Sequence, residues 1–315
     1  MNEIDYLVIS SSIDFSTDLV CYQLSQNNKR YYRLNRDEFL KHKISIDVAK
    51  KTMTILIDGI QYTVYFDKLK GIYYRSPTFL RTQPKSCLTV NEQLMRNQWS
   101  AFLRNLIVFN KCKWINNPVD TYRAENKIFQ LQVAEESGIK IPMTFVTNYV
   151  DFDINRDKKY VIKSIDTALF YDFENNKEMF TYSNVVSGYE LLESNLTSAP
   201  VIVQEFLDPK IDCRVTFIDG KLFPIQITKN QQGIVGDWRL KKEELEYIPF
   251  ILPKKIEESL IRIMNKLHLL FGGIDLAIVN DKYYFIEVNP TGEWGWLEDK
   301  NEMKISKAIM DALCK

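Results

Sequence analysis

Glycine is scarce in this 315-residue chain, at 11 residues, and the motifs that depend on it are missing. There is no GxGxxG, no GxxxxGK[ST] and no GxSxG, and HExxH is missing as well. Any nucleotide would have to be held without a phosphate-cradling glycine loop. Histidine is rarer still. Only His42 and His268 occur, which leaves little room for a zinc site. His42 sits in a charged stretch and is expected to be exposed, whereas His268 is expected on a helix in a structural role. The five cysteines (Cys21, Cys87, Cys112, Cys213, Cys314) form no CxxC pair, and their odd number fits reduced thiols better than a disulfide framework. An excess of either charge is also missing: 41 basic residues balance 41 acidic ones, which argues against broad electrostatic binding to nucleic acid or anionic lipid. No apolar run approaches a membrane span, and MNEIDYLVISSS carries acidic residues but no basic one before its short apolar run, unlike a signal peptide. The expectation is a soluble, cytoplasmic protein with no membrane or nucleic-acid partner.

The length suggests two or three lobes. In the N-terminal part the strand patterns YLVIS, RYYRL, TMTILID, YTVYF and GIYYRS surround a helix-compatible DLVCYQLSQ. Apolar residues Leu94, Trp99, Phe102, Leu103, Leu106 and Ile107 then recur at near-helical spacing from Val90 to Asn110. Asn117-Pro118 breaks the chain, so the first boundary is placed at residue 118, giving segments 1–118, 119–205 and 206–315. RAENKIFQLQVAEESGIKIP reads as one amphipathic helix leading into the strand MTFVTN, and YVIKSI as the next strand. Residues 166–188 read as an irregular flap. APVIVQEFLD is an apolar strand with polar residues at its end, and DCRVTFIDGKLFPIQIT is a hairpin through Asp219-Gly220. The polar stretch 229–252 precedes a helix with Ile256, Leu260, Ile263, Met264, Leu267 and Leu270 on one face, expected to close at Gly272-Gly273.

Chemistry concentrates in GIDLAIVNDKYYFIEVNPTGEW. Alternation along the second strand puts Glu287 and Asn289 on one face and Val288 on the other. If Asn280 to Lys282 form a three-residue loop, Asp275 falls opposite Glu287, with Cβ atoms about 5 Å apart; a two-residue loop would pair Asp275 with Ile286 and separate the carboxylates. Apolar residues surround these acids, and unpaired buried carboxylates are costly, so a solvated hairpin face is the weaker reading. Two carboxylates and an amide oxygen suit a hard cation such as Mg²⁺, whose remaining ligands usually come from water and phosphates.

Other charged residues stand in a suggestive order. Lys127 on a helix and Lys163 inside an apolar strand could neutralise phosphate oxygens, although Lys127 alone would more often be a solvated helix lysine. From Gln204 through Glu205, Phe206 and Leu207 to Asp208, backbone groups could read an adenine edge and an acid could meet ribose hydroxyls. Asp212 and Arg214 share a strand face with Cys213 on the other, so Cys213 is expected to be packed rather than nucleophilic. Arg214 could reach a phosphate or a substrate carboxylate.

With these residues on the page, the sequence resembles the ATP-grasp ligases, in which a helix lysine, a strand lysine, a Q-E hinge, an Asp-x-Arg strand and a D…E-x-N metal hairpin occur in this order. A narrower resemblance, carried by YYRSP, FLR, WINNP, ENKIFQLQVAEESGIKIPMTFVTN, GDWR and EVNPTGEW, is to the graspetide synthetases of microviridin type. Tyr74 and Ser76 depart from the tryptophan and double arginine common there. The resemblance implies an α/β ATP-grasp fold: an N-terminal pre-ATP-grasp domain and two lobes sandwiching ATP. It implies an ADP-forming ligase that uses ATP and Mg²⁺ and has a ribosomally made precursor peptide, leader plus core, as partner; a homodimer is a further expectation. Side-chain carboxylates of that peptide would be joined to Thr, Ser or Lys side chains. In this reading Lys127, Lys163 and residues 204–208 bind the nucleotide, Asp275, Glu287 and Asn289 the metal, and Arg214 and Arg239 serve the reaction. Asp237 and Trp238 are leader-binding candidates, with an exposed hairpin as the alternative for GDWR. Two other readings remain open: a ligase for free amino acids, and a non-catalytic ATP-binding regulator.

Overall fold

The computed structural model describes residues 2–75, 89–150, 153–166, 169–172, 174–175, 177–180, 183–194, 196, 198–236, 238, 245–301 and 303–315. Tyr6–Ser10 is buried throughout, as a central parallel strand should be. It pairs with Tyr31–Asn35 on one side and Gly71–Tyr74 on the other, and Lys113–Ile115 completes a four-stranded parallel sheet. The two faces of this sheet follow strand alternation. Tyr6, Val8 and Tyr73 pack with helices Phe15–Gln26 and Ile305–Leu313, whereas Leu7, Ile9, Ile72 and Tyr74 pack with helix Val90–Asn105 and a second sheet. That second sheet includes the hairpin of Thr52–Ile57 and Ile60–Tyr65, turned by Asp58-Gly59 with both residues at positive φ. It also holds Lys43–Asp47, a strand whose charged, half-exposed sequence gave no clear signal. His42, expected to be exposed, is buried: its Nδ1 lies 2.9 Å from the Glu38 carbonyl and its ring stands edge-on to Tyr32.

Where one helix was expected after residue 118 there are two, Pro118–Ala124 and Lys127–Glu136. Side chains break the continuity. Asn126 donates to the carbonyls of Tyr122 and Arg123, and Gln130 donates to that of Ala124, so carbonyls that would accept helical amides are already engaged. The stretch expected to be irregular also has structure among its described residues: a hairpin of Leu169–Asp172 with Lys177–Phe180, then the strand Asn184–Ser187. The latter joins an antiparallel sheet in the order Asn184–Ser187, Lys159–Lys163, Val201–Glu205, Thr144–Thr147.

A five-stranded antiparallel sheet forms the last layer, in the order Glu246–Pro249, Lys221–Thr228, Ile211–Ile218, Phe271–Val279, Lys282–Asn289. Helices Lys127–Glu136 and Lys254–Lys266 cover one face, burying Leu131, Ala134, Leu260, Ile263 and Met264 against Cys213, Val215, Ile274, Phe285 and Val288. The second helix ends earlier than expected. His268 takes the left-handed position beyond it, at φ 58°, and the Leu269 amide bonds the Met264 carbonyl at 2.9 Å. Gly272 and Gly273 belong instead to the strand, where close packing needs them: a Cβ on Gly272 would lie 2.8 Å from Met264 Cε.

Candidate active site

The acidic hairpin achieves the expected pairing by an unexpected route. Its turn has two residues, Asn280 and Asp281, both at positive φ, and Val279 pairs with Lys282. That register alone would separate the carboxylates. A β-bulge beside Asp275 and Leu276 then takes Ile286 out of the pairing, so Asp275 sits opposite Glu287 and Gly273 opposite Asn289. Asn289 Nδ2 lies 3.3 Å from both Asp275 Oδ2 and Glu287 Oε1.

Two cations face this acidic group. Arg214 Nη1 bonds Asp275 Oδ1 at 2.7 Å from the neighbouring strand, and Lys127 Nζ lies 3.3 Å from Glu287 Oε2 at the start of its helix. Gln130 fixes that helix to the hairpin: one helical turn after Lys127, it accepts from the Val288 amide at 2.9 Å and donates to the Val288 carbonyl at 2.8 Å. Arg214 is held in a slot floored by glycines. A Cβ on Gly273 would lie 2.6 Å from Arg214 Cζ, and one on Gly292 2.8 Å from Nη2. Arg214 Nε is buried with no hydrogen-bond partner among the described residues. Cys213 points into the opposite core, and burial pushes its thiol well above its ordinary range.

Lys163 comes from the facing sheet, at the end of a strand flanked on both sides. The adjoining strand ends at Gln204 and Glu205. Gln204 is buried and donates to Thr144 Oγ1 at 2.8 Å. The Glu205 amide donates to the Met143 carbonyl, the Phe206 amide donates to the Lys159 carbonyl, and the Glu205 carboxylate accepts from the Met143 amide. This part of the hinge is thus held by its neighbours.

A cleft of about 700 Å³ lies between the two sheets. Lys127, Lys163, Gln204, Glu205, Phe206, Leu207, Arg214, Trp238, Asp275, Glu287 and Asn289 all line it. Asp208 does not border it. Asp237 and Arg239 lie outside the described residues, as do Ser76 and the FLR stretch.

No family model matches this chain, and no curated protein matches it in sequence. Solved structures do. An RiPP-associated ATP-grasp ligase from Chryseobacterium gregarium, in complex with ADP and a leader and core peptide, has a TM-score of 0.83 and 27% identity, covering 100% of this chain and 97% of that one. The macrocyclase MdnC of Microcystis aeruginosa MRC, bound with precursor peptide MdnA, gives 0.80 and 24% identity, covering 98% of each chain. D-alanyl-alanine synthetase A from Vibrio cholerae gives 0.55 and 11% identity, covering 99% of each. The chain has the ATP-grasp fold.

Sequence reasoning missed several residues at this ATP-grasp cleft. Lys210 pairs with Asp212 on its wall, and Glu293 and Trp296 also line it. Asn116, from WINNP, is buried; it accepts from the Leu270 and Phe271 amides and donates to the Phe271 and Pro290 carbonyls, tying both ends of the acidic hairpin together. No local pattern marks such a role, because the partners are more than 150 residues away.

Proposed function

We propose that this protein is an ATP-dependent, ADP-forming peptide ligase that closes macrocycles in a ribosomally made precursor peptide. A side-chain carboxylate of Asp or Glu attacks the γ-phosphorus of ATP and ADP departs; a Thr or Ser hydroxyl or a Lys amine then attacks the acyl phosphate, losing its proton and releasing phosphate. The observation that carries the reading is the single cleft in which the hinge, both lysines, Arg214 and the acidic hairpin converge. Its full-length likeness to ligases solved with ADP or precursor peptides agrees with it.

The donor set fits Mg²⁺: two carboxylates and an amide that would turn its oxygen inward, all hard ligands. Bound with ATP at Asp275, Glu287 and Asn289, the ion would neutralise phosphate charge. Lys127 and Arg214, which balance those carboxylates here, then become available to phosphate oxygens. The Nε of Arg214, which has no hydrogen-bond partner among the described residues, leaves this guanidinium a donor to offer an anion such as the activated carboxyl group. Lys163 faces the phosphates from the other sheet, and Glu205 to Leu207 hold the adenine. Arg239 would serve the reaction, and Asp237 with Trp238 the leader. No enzyme nucleophile is required. An odd number of cysteines with no CxxC pair supports a cytoplasmic setting.

The test is incubation of the protein with its precursor peptide, ATP and Mg²⁺. ADP and phosphate should form without AMP, and each ring should lower the peptide mass by one water, about 18 Da. A rise in mass on adding free amino acids would instead favour a ligase acting on small substrates. ATP binding without turnover on any substrate would favour a regulatory protein.

A further inference from the structure

The segment from Pro290 to Gly295, directly after the acidic hairpin, is fastened to the N-terminal part of the chain at every step. The Pro290 carbonyl accepts from Asn116 Nδ2 at 3.1 Å. Arg75 Nη1 donates to the carbonyls of Thr291 and, at 2.9 Å, Gly292, while Nη2 meets the Glu293 carboxylate. Ser16 Oγ donates to Glu293 at 2.8 Å and accepts from the Gly295 amide at 3.1 Å. Trp294, fully buried, lies 3.4 Å through its Nε1 from the Tyr73 hydroxyl.

Arg75 is the centre of this arrangement. Its side chain is 2% exposed, it follows the strand Gly71–Tyr74, and its Nε bonds Asp14, the N-cap of helix Phe15–Gln26, at 3.2 Å. A guanidinium is costly to bury unless its donors are used, and this one spends them on two carbonyls and two carboxylates. Lysine, a single point charge, could not span the same four acceptors.

The strapped segment also borders the cleft. Thr291, Gly292 and Glu293 line it, and Gly292 lies against the Arg214 guanidinium. Most of the metal side is secured differently: Lys127 and the Val288 backbone are tied through Gln130, which makes no contact with the Arg75 network among the hydrogen bonds described, while the Asn289 carbonyl accepts from the Gly292 amide at 3.1 Å.

We infer that Arg75 is a positioning residue for the second half of the reaction: through Thr291–Glu293 it sets the wall beside Arg214 where the activated carboxyl group meets its acceptor. This inference rests on the ligase reading. Lys127, Lys163, Asp275 and Glu287 make no hydrogen bond described to the strap, whereas Asn289 and Arg214 border it, so loosening the strap should slow ADP formation far less than capture of the acyl phosphate by the peptide. Water would then intercept the intermediate, returning the carboxylate and phosphate with no ring formed.

Two variants test this, Arg75→Met and Glu293→Gln; the second keeps the assay informative if the first fails to fold, because the Glu293 side chain is 66% exposed. Ring closure should slow by about tenfold to a hundredfold, as expected for misplacement of a reacting group, while ADP release falls much less, so that ADP released per ring closed rises. A merely structural defect would lower both in parallel and leave that ratio at the wild-type value. Amide hydrogen exchange of the protein without substrate gives an independent reading: peptides covering 290–296 should exchange faster in both variants, with the hairpin strands unchanged. If folded variants keep the wild-type ratio, the inference is overturned, whatever the exchange shows. If wild-type protein consumes ATP but closes no ring, the ligase assignment falls instead, and the exchange result still decides whether Arg75 holds the segment.

Discussion

Lys127 Nζ and Glu287 Oε2 stand 3.3 Å apart, joining the first residue of a helix to the second strand of the acidic hairpin. Both side chains are largely shielded from solvent, at 20% and 15% exposure, so the pair feels the charges around it more than a surface pair would. Together with Arg214 and Asp275 it makes a cluster of two positive and two negative charges on one side of the cleft. ATP and a divalent cation would add charges of both signs, and each lysine or arginine would exchange a carboxylate for phosphate oxygens.

Glu287→Gln preserves side-chain size and removes one of the two negative charges. The fold should persist, since Gln130 and Asn116 hold the hairpin through backbone groups. Turnover should drop by about a hundredfold or more, because a preorganised charge is lost where phosphate charge is handled. Steady-state ADP release is the measurement, with circular dichroism to confirm folding. Full activity would remove the metal assignment.

Gly273→Ala tests the slot beneath Arg214. The new Cβ would come within 2.6 Å of the guanidinium, which is confined by its bond to Asp275 and by Gly292. Either Arg214 moves or the strand does, so the variant should lose about 1–3 kcal/mol of stability. Ring closure should fall further than the remaining folded fraction explains. Thermal denaturation and single-turnover rates separate the two effects.

Much of this site was legible because its residues are ordered along the chain and sit on regular strands. Alternation placed Asp212 with Arg214 and Glu287 with Asn289. The face shared by Asp275 and Glu287 was also foreseen, but through a three-residue loop; the two-residue turn and compensating bulge are invisible to simple alternation, since a bulge changes register without a composition signal of its own. Helix boundaries failed where a side chain displaced a backbone bond, as at Gln130 and Asn126. Asn116, Arg75 and Ser16 were unreadable as bracing residues because their partners lie in the distant segment between 270 and 295.

Acid should loosen the attachment of the C-terminus. Burial alone would raise the Asp219 carboxyl, but hydrogen bonds from Lys315 at 2.7 Å and Lys113 at 3.2 Å outweigh it and hold the group below the usual carboxylate range. The sign follows from that direction: the stabilisation is complete above the unfolded carboxyl value, about 3.9, and is lost as pH falls through the lower folded value. Lys315 is 58% exposed, so solvent screening keeps the effect below about 1 kcal/mol. Asp219→Asn, which keeps a residue tolerant of the positive φ in this turn, should therefore lower stability slightly at neutral pH and not at all below both carboxyl values. Urea denaturation across pH 2–7 reads the difference.

A substitution at Trp238 tests how the cleft is divided between peptide and nucleotide. It lines the cleft with its ring centroid 6.1 Å from that of Trp296, which in turn stands 4.9 Å from Tyr247. Trp238 and Trp296 form an aromatic edge of the cleft, backed by Tyr247 and suited to an apolar peptide segment, whereas the hinge side of the cleft is built from Gln204 to Leu207. Trp238→Ala should weaken precursor binding by about tenfold or more, as truncating a buried aromatic contact does, and leave ADP affinity unchanged. Titrations of each ligand by calorimetry measure both. Equal loss of the two affinities would put Trp238 at the nucleotide instead, and no change in either would return it to the role of a cleft-rim residue without a ligand contact.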